Sequence, residues 1–388
     1  MLLLYLLFGF LAFVTLYLFV FAVAGLFRKP LPGVPVGGGL FRRMVVLLPA
    51  YREDAVIVDS ARQALGQQYP ADRYDVVVIA DSLRADTLAR LRELPLRVVE
   101  VRFESSTKAK ALNAALAELG EGYDVAVVLD ADNVLAPDFL NQVNAAFGRG
   151  WRVVQGHRTA KNTNTPTAVL DAVSEEVNNL IFRQGHRALG LASALIGSGM
   201  AFEYGLFKGL MAQIHTTGGF DKELEMRLLS QGLSAEYLPE AYCYDEKVQN
   251  PEVFEKQRSR WLAAQVKYFR QNGWPGLKAL FRGNVNYADK VFQTVLPPRV
   301  MLLGLLGLGT GLALLLTDGV LLALAGGSLA LLLLTFYLAT PPALKAKLTW
   351  RELRQVPGLL FRFVRSFRKI GEAQKRFIHT PHDTTTSS

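Results

Sequence analysis

Three stretches of this 388-residue chain are too apolar for too long to face water, and they restrict the fold more than any other feature. Leu2 to Leu26 is almost uninterrupted Leu, Phe, Val and Ala. Val295 to Thr317 and Val320 to Ala339 are two more such runs, separated by the turn-like Asp318-Gly319. Inside hydrocarbon each backbone N–H and C=O must find its partner within the segment, so a run of roughly 20 apolar residues crosses only as a helix. The expectation is one membrane helix over 1–27 and a pair over 295–341. Ala22-Val23-Ala24 looks like a signal-peptide cleavage site. However, residues 1–10 carry no basic side chain, and the run outlasts an ordinary signal core. Arg28, Lys29, Arg42 and Arg43 follow it, so the positive-inside rule puts the N-terminus outside and the middle of the chain in the cytoplasm. Lys290 and Arg299 before the second run, and Lys345, Lys347 and Arg351 after the third, agree. The reading is a multi-pass protein of the cell (inner) membrane.

Hydrophobic residues make up 51% of the chain, as such segments require, and the net charge is +9. The end of the chain, 342–388, mixes Arg and Lys with Leu359, Leu360, Phe361, Phe363, Val364, Phe367 and Phe377. That pattern suits a basic amphipathic helix lying on anionic membrane lipids. A solvated basic tail would not need the aromatics. No nucleic-acid module is present, so nucleic acid is not an expected partner. The single cysteine, Cys243, excludes an intramolecular disulfide and a Cys-rich metal site.

Between the membrane segments, a Pro/Gly linker at 28–42 leads into a region, 43–250, of short apolar runs and helical patterns. Val45–Leu48, Val76–Ile79, Val98–Val101 and Val125–Leu129 read as strands buried on both faces. Asp59–Gln67 and Lys108–Leu119 read as helices between them. This order predicts an α/β fold with a doubly wound, mostly parallel sheet, whose ligands sit at the carboxyl ends of the strands.

Those ends are acidic. The first strand ends in PAYRED (49–54), the second in ADS with Asp81, and a later one in LDADN with Asp130 and Asp132. In extended backbone residues two apart point the same way, and two such carboxylates invite Mg²⁺ or Mn²⁺ shared with phosphates. The plainer alternative is that these aspartates cap the following helices, as Asp138 after Pro137 would. STKAKALN puts Lys108 at a helix start, suited to an anion, while Lys110 reads as an ordinary surface lysine. IGSGMAF groups Gly197, Ser198 and Gly199 where a backbone can approach a ligand. TTGGFDKELEMRLL enters a helix at Asp221, as a cap or as a base at the same cleft. QRSRW (257–261) sets Arg258 and Arg260 beside Trp261, which neither a solvated face nor a core helix would ask for.

Taken in order, these motifs resemble the membrane-bound family 2 glycosyltransferases with a GT-A domain, the group of cellulose, chitin and hyaluronan synthases and ceramide glucosyltransferase. The likeness runs from about 43 to 262. It implies that Tyr51, Glu53 and Asp81 line the nucleoside pocket, that Lys108 lies near the diphosphate, and that Asp130 and Asp132 hold nucleotide and metal, Asp132 directly. It further implies Asp221 as catalytic base, Gln257 and Arg260 on the donor, and Trp261, Ser198 and Gly199 at the acceptor. Arg258 has no counterpart in the family motif. Phe220 stands where the family carries Glu, and the polymer-secreting members have more membrane helices than three.

The resulting expectation is an inverting enzyme that moves a glucose- or N-acetylglucosamine-type sugar from a UDP-sugar to a lipid-linked or glycan acceptor, forming a β-linkage with Mg²⁺ or Mn²⁺. A processive polysaccharide synthase is the alternative, and an inactive scaffold subunit of an export complex a third reading. Interfacial helices at 251–294 would carry QRSRW to the membrane surface, and an oligomer is compatible with all three readings. The topology has a direct test. A phosphatase fused after Ser388 should be silent and a cytoplasmic reporter at the same place active; the reverse pattern would invert the orientation.

Overall fold

The structure is a computed structural model describing residues 1–29, 40–216, 218–247 and 251–366, the side chains of 251–260, 359, 363, 364 and 366 excepted. Most of the expected linker and the end of the basic tail therefore lie outside the described residues. Eight strands form one sheet: β1 (Met44–Tyr51), β2 (Tyr74–Asp81), β3 (Arg97–Val101), β4 (Val125–Val128), β5 (Val134–Leu135), β6 (Val153–Ala160), β7 (Met200–Glu203) and β8 (Glu236–Asp245), in the order β3-β2-β1-β4-β7-β6-β8-β5. From β3 to β4 every pairing is parallel. The expected strands are these four. They are Val-rich because helices cover both faces: Val46, Leu48, Val76 and Val127 pack in one core, Val45, Leu47, Val77 and Val128 in the other.

The far half departs from a simple doubly wound sheet. β7 runs antiparallel to both neighbours, β4 and β6, and β5 runs antiparallel to β8. At only four residues, β7 carries too short a pattern to be read from sequence. Its reversal brings the chain back from the 196–199 loop directly beside the end of β4, which positions the site described below.

Three helices among the described residues are long and apolar enough to cross a membrane: Leu2–Leu26, Arg299–Leu316 and Gly319–Ala339. The second begins four residues later than its apolar run, because Pro297 and Pro298 lack the N–H groups a helix interior needs. Phe8, Leu11, Val14 and Leu18 of the N-terminal helix pack with Leu302, Leu306, Leu321 and Ala325. The lower part of that helix rests on a π-helical turn, Asn179–Gly185. The contact is so close that a Cβ on Gly185 would fall 2.0 Å from the Phe21 carbonyl oxygen.

Two basic residues read as topology signals have structural partners. Arg28 donates to Glu236 Oε1 at 2.6 Å and to the Tyr237 carbonyl at 3.1 Å, tying the membrane helix to the start of β8. Lys290, on helix Val285–Gln293, is buried with its Nζ 2.6 Å from Glu225 Oε1 on helix Phe220–Ser230. Burial pulls the Lys290 pKa down to about 8, with Glu225 opposing the shift. Its folded-state pKa lies below its unfolded one, so the folded state holds this proton less firmly. That cost is full below about pH 8 and is relieved as pH rises toward the unfolded value, about 10.4. Removing Lys290 leaves the buried Glu225 carboxylate to the more distant Lys222, 3.6 Å from its Oε2. Lys290→Met should therefore cost about 3–5 kcal/mol, and adding Glu225→Gln should recover most of it. Thermal and denaturant unfolding in detergent would measure this, and additive losses would show the pair to be uncoupled.

Candidate active site

The carboxyl ends of β1 and β2 meet first. Tyr51 and Asp81 are register partners, and Arg52 N donates to the Asp81 carbonyl at 3.1 Å. Arg52 (φ 56°) and Ser82 (φ 59°) both leave their strands in the left-handed region, a strain of about 1–3 kcal/mol per residue of the kind that gathers at functional sites. Neither is a glycine, so nothing in the sequence marks the turn. Asp81 is buried, and its Oδ1 accepts from Ser82 Oγ at 3.0 Å. The Arg52 guanidinium lies over the Tyr51 ring, and the Glu53 carbonyl starts the next helix by accepting from Ile57 N.

β4 stops at Val128, and Asp130 and Asp132 lie in the turn beyond it, closed by Asn133 N donating to the Asp130 carbonyl at 3.1 Å. The extended backbone expected for D-x-D is therefore absent, and the two carboxylates are set by the turn. Lys108, first residue of helix Lys108–Leu119, donates from Nζ to Asp130 Oδ1 and, at 2.7 Å, to the Gly197 carbonyl. The same ammonium stands over the Phe220 ring, 5.2 Å from its centre. Lys110 is exposed and donates to the Ser105 carbonyl, a surface contact.

The 196–199 loop lies behind these groups, and Gln155 holds it. The Gln155 amide nitrogen donates to the carbonyls of Ser198 and Gly199, and its oxygen accepts from Ile196 N. Ser198 is fully buried, its hydroxyl taking the Asp130 N–H at 2.9 Å. Gly199 (φ 60°) is pressed on Cys243, where an added Cβ would come within 2.8 Å. The close approach at Gly199 is thus to the protein's own strand β8. Ser198 and Gly199, expected at the acceptor, stand behind the cleft wall, since both are buried and Ser198 spends its hydroxyl there.

Asp221 is the second residue of its helix. Gly219 (φ 69°) is the N-cap, so Asp221 does not cap it. The Asp221 carboxyl faces Gly197: a Cβ there would lie 3.8 Å from Asp221 Oδ2. Asp138 does occupy an N-cap position, without a side-chain capping bond. The 31-residue helix Pro251–Phe281 docks beside Asp221, with Tyr268 OH donating to the Gly219 carbonyl at 3.0 Å and Lys267 Nζ to Thr216 Oγ1 at 2.8 Å. Trp261, on the same helix, is 43% exposed. The side chains of Gln257, Arg258 and Arg260 lie outside the described residues, although their helix is described. Lys108, Asp130, Gly197 and Asp221 thus gather around one loop, with Tyr51 and Asp81 at the ends of the neighbouring strands β1 and β2.

A second group of charges, absent from the sequence reading, lies on β6 and at the end of β8, behind the turn that follows β4. Asp245, at the end of β8, accepts from Lys247 Nζ at 2.7 Å and lies 3.6 Å from Arg158 Nε. Burial would raise the Asp245 pKa, but Lys247 and Arg158 outweigh it and hold the carboxyl below its ordinary range.

The profile of the family described as "Glycosyltransferase like family 2" matches residues 42–264. Among curated proteins, a probable glycosyltransferase, YdaM, of Bacillus subtilis is 25% identical over 238 residues, covering 56% of this chain and 54% of its own. A beta-monoglucosyldiacylglycerol synthase of Trichormus variabilis is 28% identical over 223 residues, covering 56% and 47%. The chain spans about half the length of these relatives. The solved mannosyltransferase PcManGT from Pyrobaculum calidifontis, in complex with GDP-Man and Mn²⁺, superposes with a TM-score of 0.58 at 16% identity, over 95% of this chain and 97% of that one. At that identity the likeness is one of fold.

Gln155 supplies the test of the loop. Gln155→Leu leaves the Ile196 N–H and the Ser198 carbonyl without their partner. It should cost about 2 kcal/mol or more and weaken nucleotide binding by letting Gly197 leave Lys108. Unfolding in detergent together with UDP titration checks both effects. An unaltered UDP affinity would separate the loop from the ligand.

Proposed function

The chain belongs to the family 2 glycosyltransferases and has a GT-A catalytic fold, and from that premise we propose that it transfers one sugar from a UDP-sugar to a lipid-linked acceptor at the cytoplasmic membrane face, with inversion. The observation that carries the reading is the shared loop. Gly197 gives its carbonyl to Lys108, which bonds to Asp130, and presents its other side to the Asp221 carboxyl. A cation for phosphates and a carboxylate for a hydroxyl stand on opposite sides of one residue.

In the proposed reaction the acceptor hydroxyl oxygen attacks the anomeric carbon while its proton passes to Asp221. The bond from that carbon to the β-phosphate oxygen breaks, and UDP leaves with the electron pair. A single displacement on an α-linked donor yields a β-glycoside. General-base help of this kind is typically worth about 10²–10⁴-fold. Lys108 sits where it can exchange Asp130 for the departing diphosphate, and Arg260, on the helix docked at Gly219, would close over the same charge. Tyr51, Glu53 and Asp81 would receive the nucleoside, Gln257 a donor oxygen, and Trp261, exposed on that helix, the acceptor.

Asp130 and Asp132 bring hard oxygen donors to one turn, a chemistry that fits Mg²⁺ or Mn²⁺ completed by phosphates and water. With Asp130 already bonded to Lys108, Asp132 is the direct ligand. When bound, the ion would supply charge neutralisation for the diphosphate. The likeness to the Trichormus beta-monoglucosyldiacylglycerol synthase supports a glucosyl donor, a diacylglycerol-type acceptor and a single addition. A glycan acceptor or processive synthesis would instead give polymer.

The test combines products and a variant. Membranes given radiolabelled UDP-glucose, UDP-N-acetylglucosamine or GDP-mannose should label a lipid fraction from a UDP-sugar, with EDTA abolishing the signal and Mn²⁺ restoring it. Asp221→Asn should lower kcat by about 10²–10⁴-fold while UDP affinity by calorimetry stays within a few-fold. Label in polymer would favour the synthase reading, and a collapse of UDP affinity would make Asp221 a donor ligand.

A further inference from the structure

Asn133 is fully buried immediately after the D-x-D turn, at the junction of three groups. Its carboxamide has one consistent orientation there. The nitrogen lies 3.2 Å from each oxygen of Asp132 and 3.0 Å from Asp245 Oδ1, and carboxylates only accept. The oxygen then accepts from Ser198 Oγ at 2.7 Å, whose oxygen in turn receives the Asp130 N–H at 2.9 Å. The Asn133 backbone N–H meanwhile donates to the Asp130 carbonyl. One residue thus touches both aspartates of the motif, and its side chain is the link between Asp132 and the charged group on β8.

We infer that Asn133 is a positioning residue for the divalent-cation site, orienting the Asp132 carboxylate by hydrogen bonding and keeping Asp245 apart from it. The inference rests on the reading of Asp132 as a metal ligand. Two carboxylates as near as Asp132 and Asp245 would repel, and a neutral donor of two N–H groups between them satisfies both. Asp245 is anchored on its other side by Lys247 and Arg158, so it acts as a fixed post against which Asn133 is held. A ligating carboxylate held in this way has its orientation set before the ion arrives. Loss of such an outer partner typically costs about 10–100-fold in metal affinity. Aspartate at 133 would replace the two donors by a third carboxylate. Serine would offer one donor where two are needed.

Mn²⁺ binding to the purified full-length protein in detergent, with UDP present, is read from the loss of the free Mn²⁺ paramagnetic resonance signal. Thermal unfolding is measured alongside. Asn133→Ala should weaken Mn²⁺ binding by about 10–100-fold while the protein stays folded, and Asn133→Ser should fall between that and wild type. Wild-type Mn²⁺ affinity in folded Asn133→Ala or Asn133→Ser, with only the melting temperature lowered, would make Asn133 a packing residue and overturn the inference. Should Asn133→Ala fail to fold, the serine variant decides by the same measure. If the unaltered protein binds no Mn²⁺, the metal reading of Asp132 falls and this inference with it, an outcome distinct from normal binding by the variants.

Discussion

The ammonium of Lys108 is the point on which the site depends. A lysine taken out of bulk water must recover what hydration supplied. Here three separately placed elements do so: a carboxylate from the turn after β4, a carbonyl from the 196–199 loop, and the face of Phe220 at the start of the helix Phe220–Ser230. Removing the charge would take from Asp130 the ammonium that bonds to it and from the Gly197 carbonyl its donor. The arrangement also makes sense of Phe220. Its apolar ring stands over that cation, 5.2 Å from the ammonium to the ring centre.

The membrane segments are integrated with the same framework. The N-terminal helix is seated by a backbone contact that only glycine permits at 185, and its end is pinned by Arg28 on Glu236. Lys290 reaches Glu225, one turn beyond Asp221 on the helix Phe220–Ser230. Tyr268 reaches the carbonyl of that helix's N-cap. The Asp221 helix is therefore braced from two helices, Val285–Gln293 and Pro251–Phe281, at once. Such bracing fixes the Asp221 carboxyl against the 196–199 loop at the sheet edge.

The buried polar network behind the site shows why two amides matter as much as the carboxylates in front. Gln155 and Asn133 each present donors and acceptors in fixed geometry to groups that have no water to turn to. A half-satisfied network of this kind is more costly than none. The loop and the turn therefore hold one geometry and not several.

The chain's own residues dictate much of this. Long apolar runs admit only helices, Val-rich strands with helical patterns between them admit only a sheet covered on both faces, and the spacing of the aspartates, Lys108 and Asp221 places them at strand ends and helix starts. Those features are legible because each depends on periodicity or on neighbours within a few residues. The antiparallel course of β7, the turn that replaces an extended D-x-D, the left-handed Arg52 and Ser82, and the withdrawal of Ser198 behind the cleft depend on contacts between residues far apart in sequence. So do the partners of Arg28 and Lys290, which sequence alone reads as membrane-surface charges. Gln155 and Asn133 carry no local signal at all, since an amide is ordinary on any surface. Only the close packing of β6, β8 and the 196–199 loop strips away their water and gives them carboxylates and carbonyls to hold.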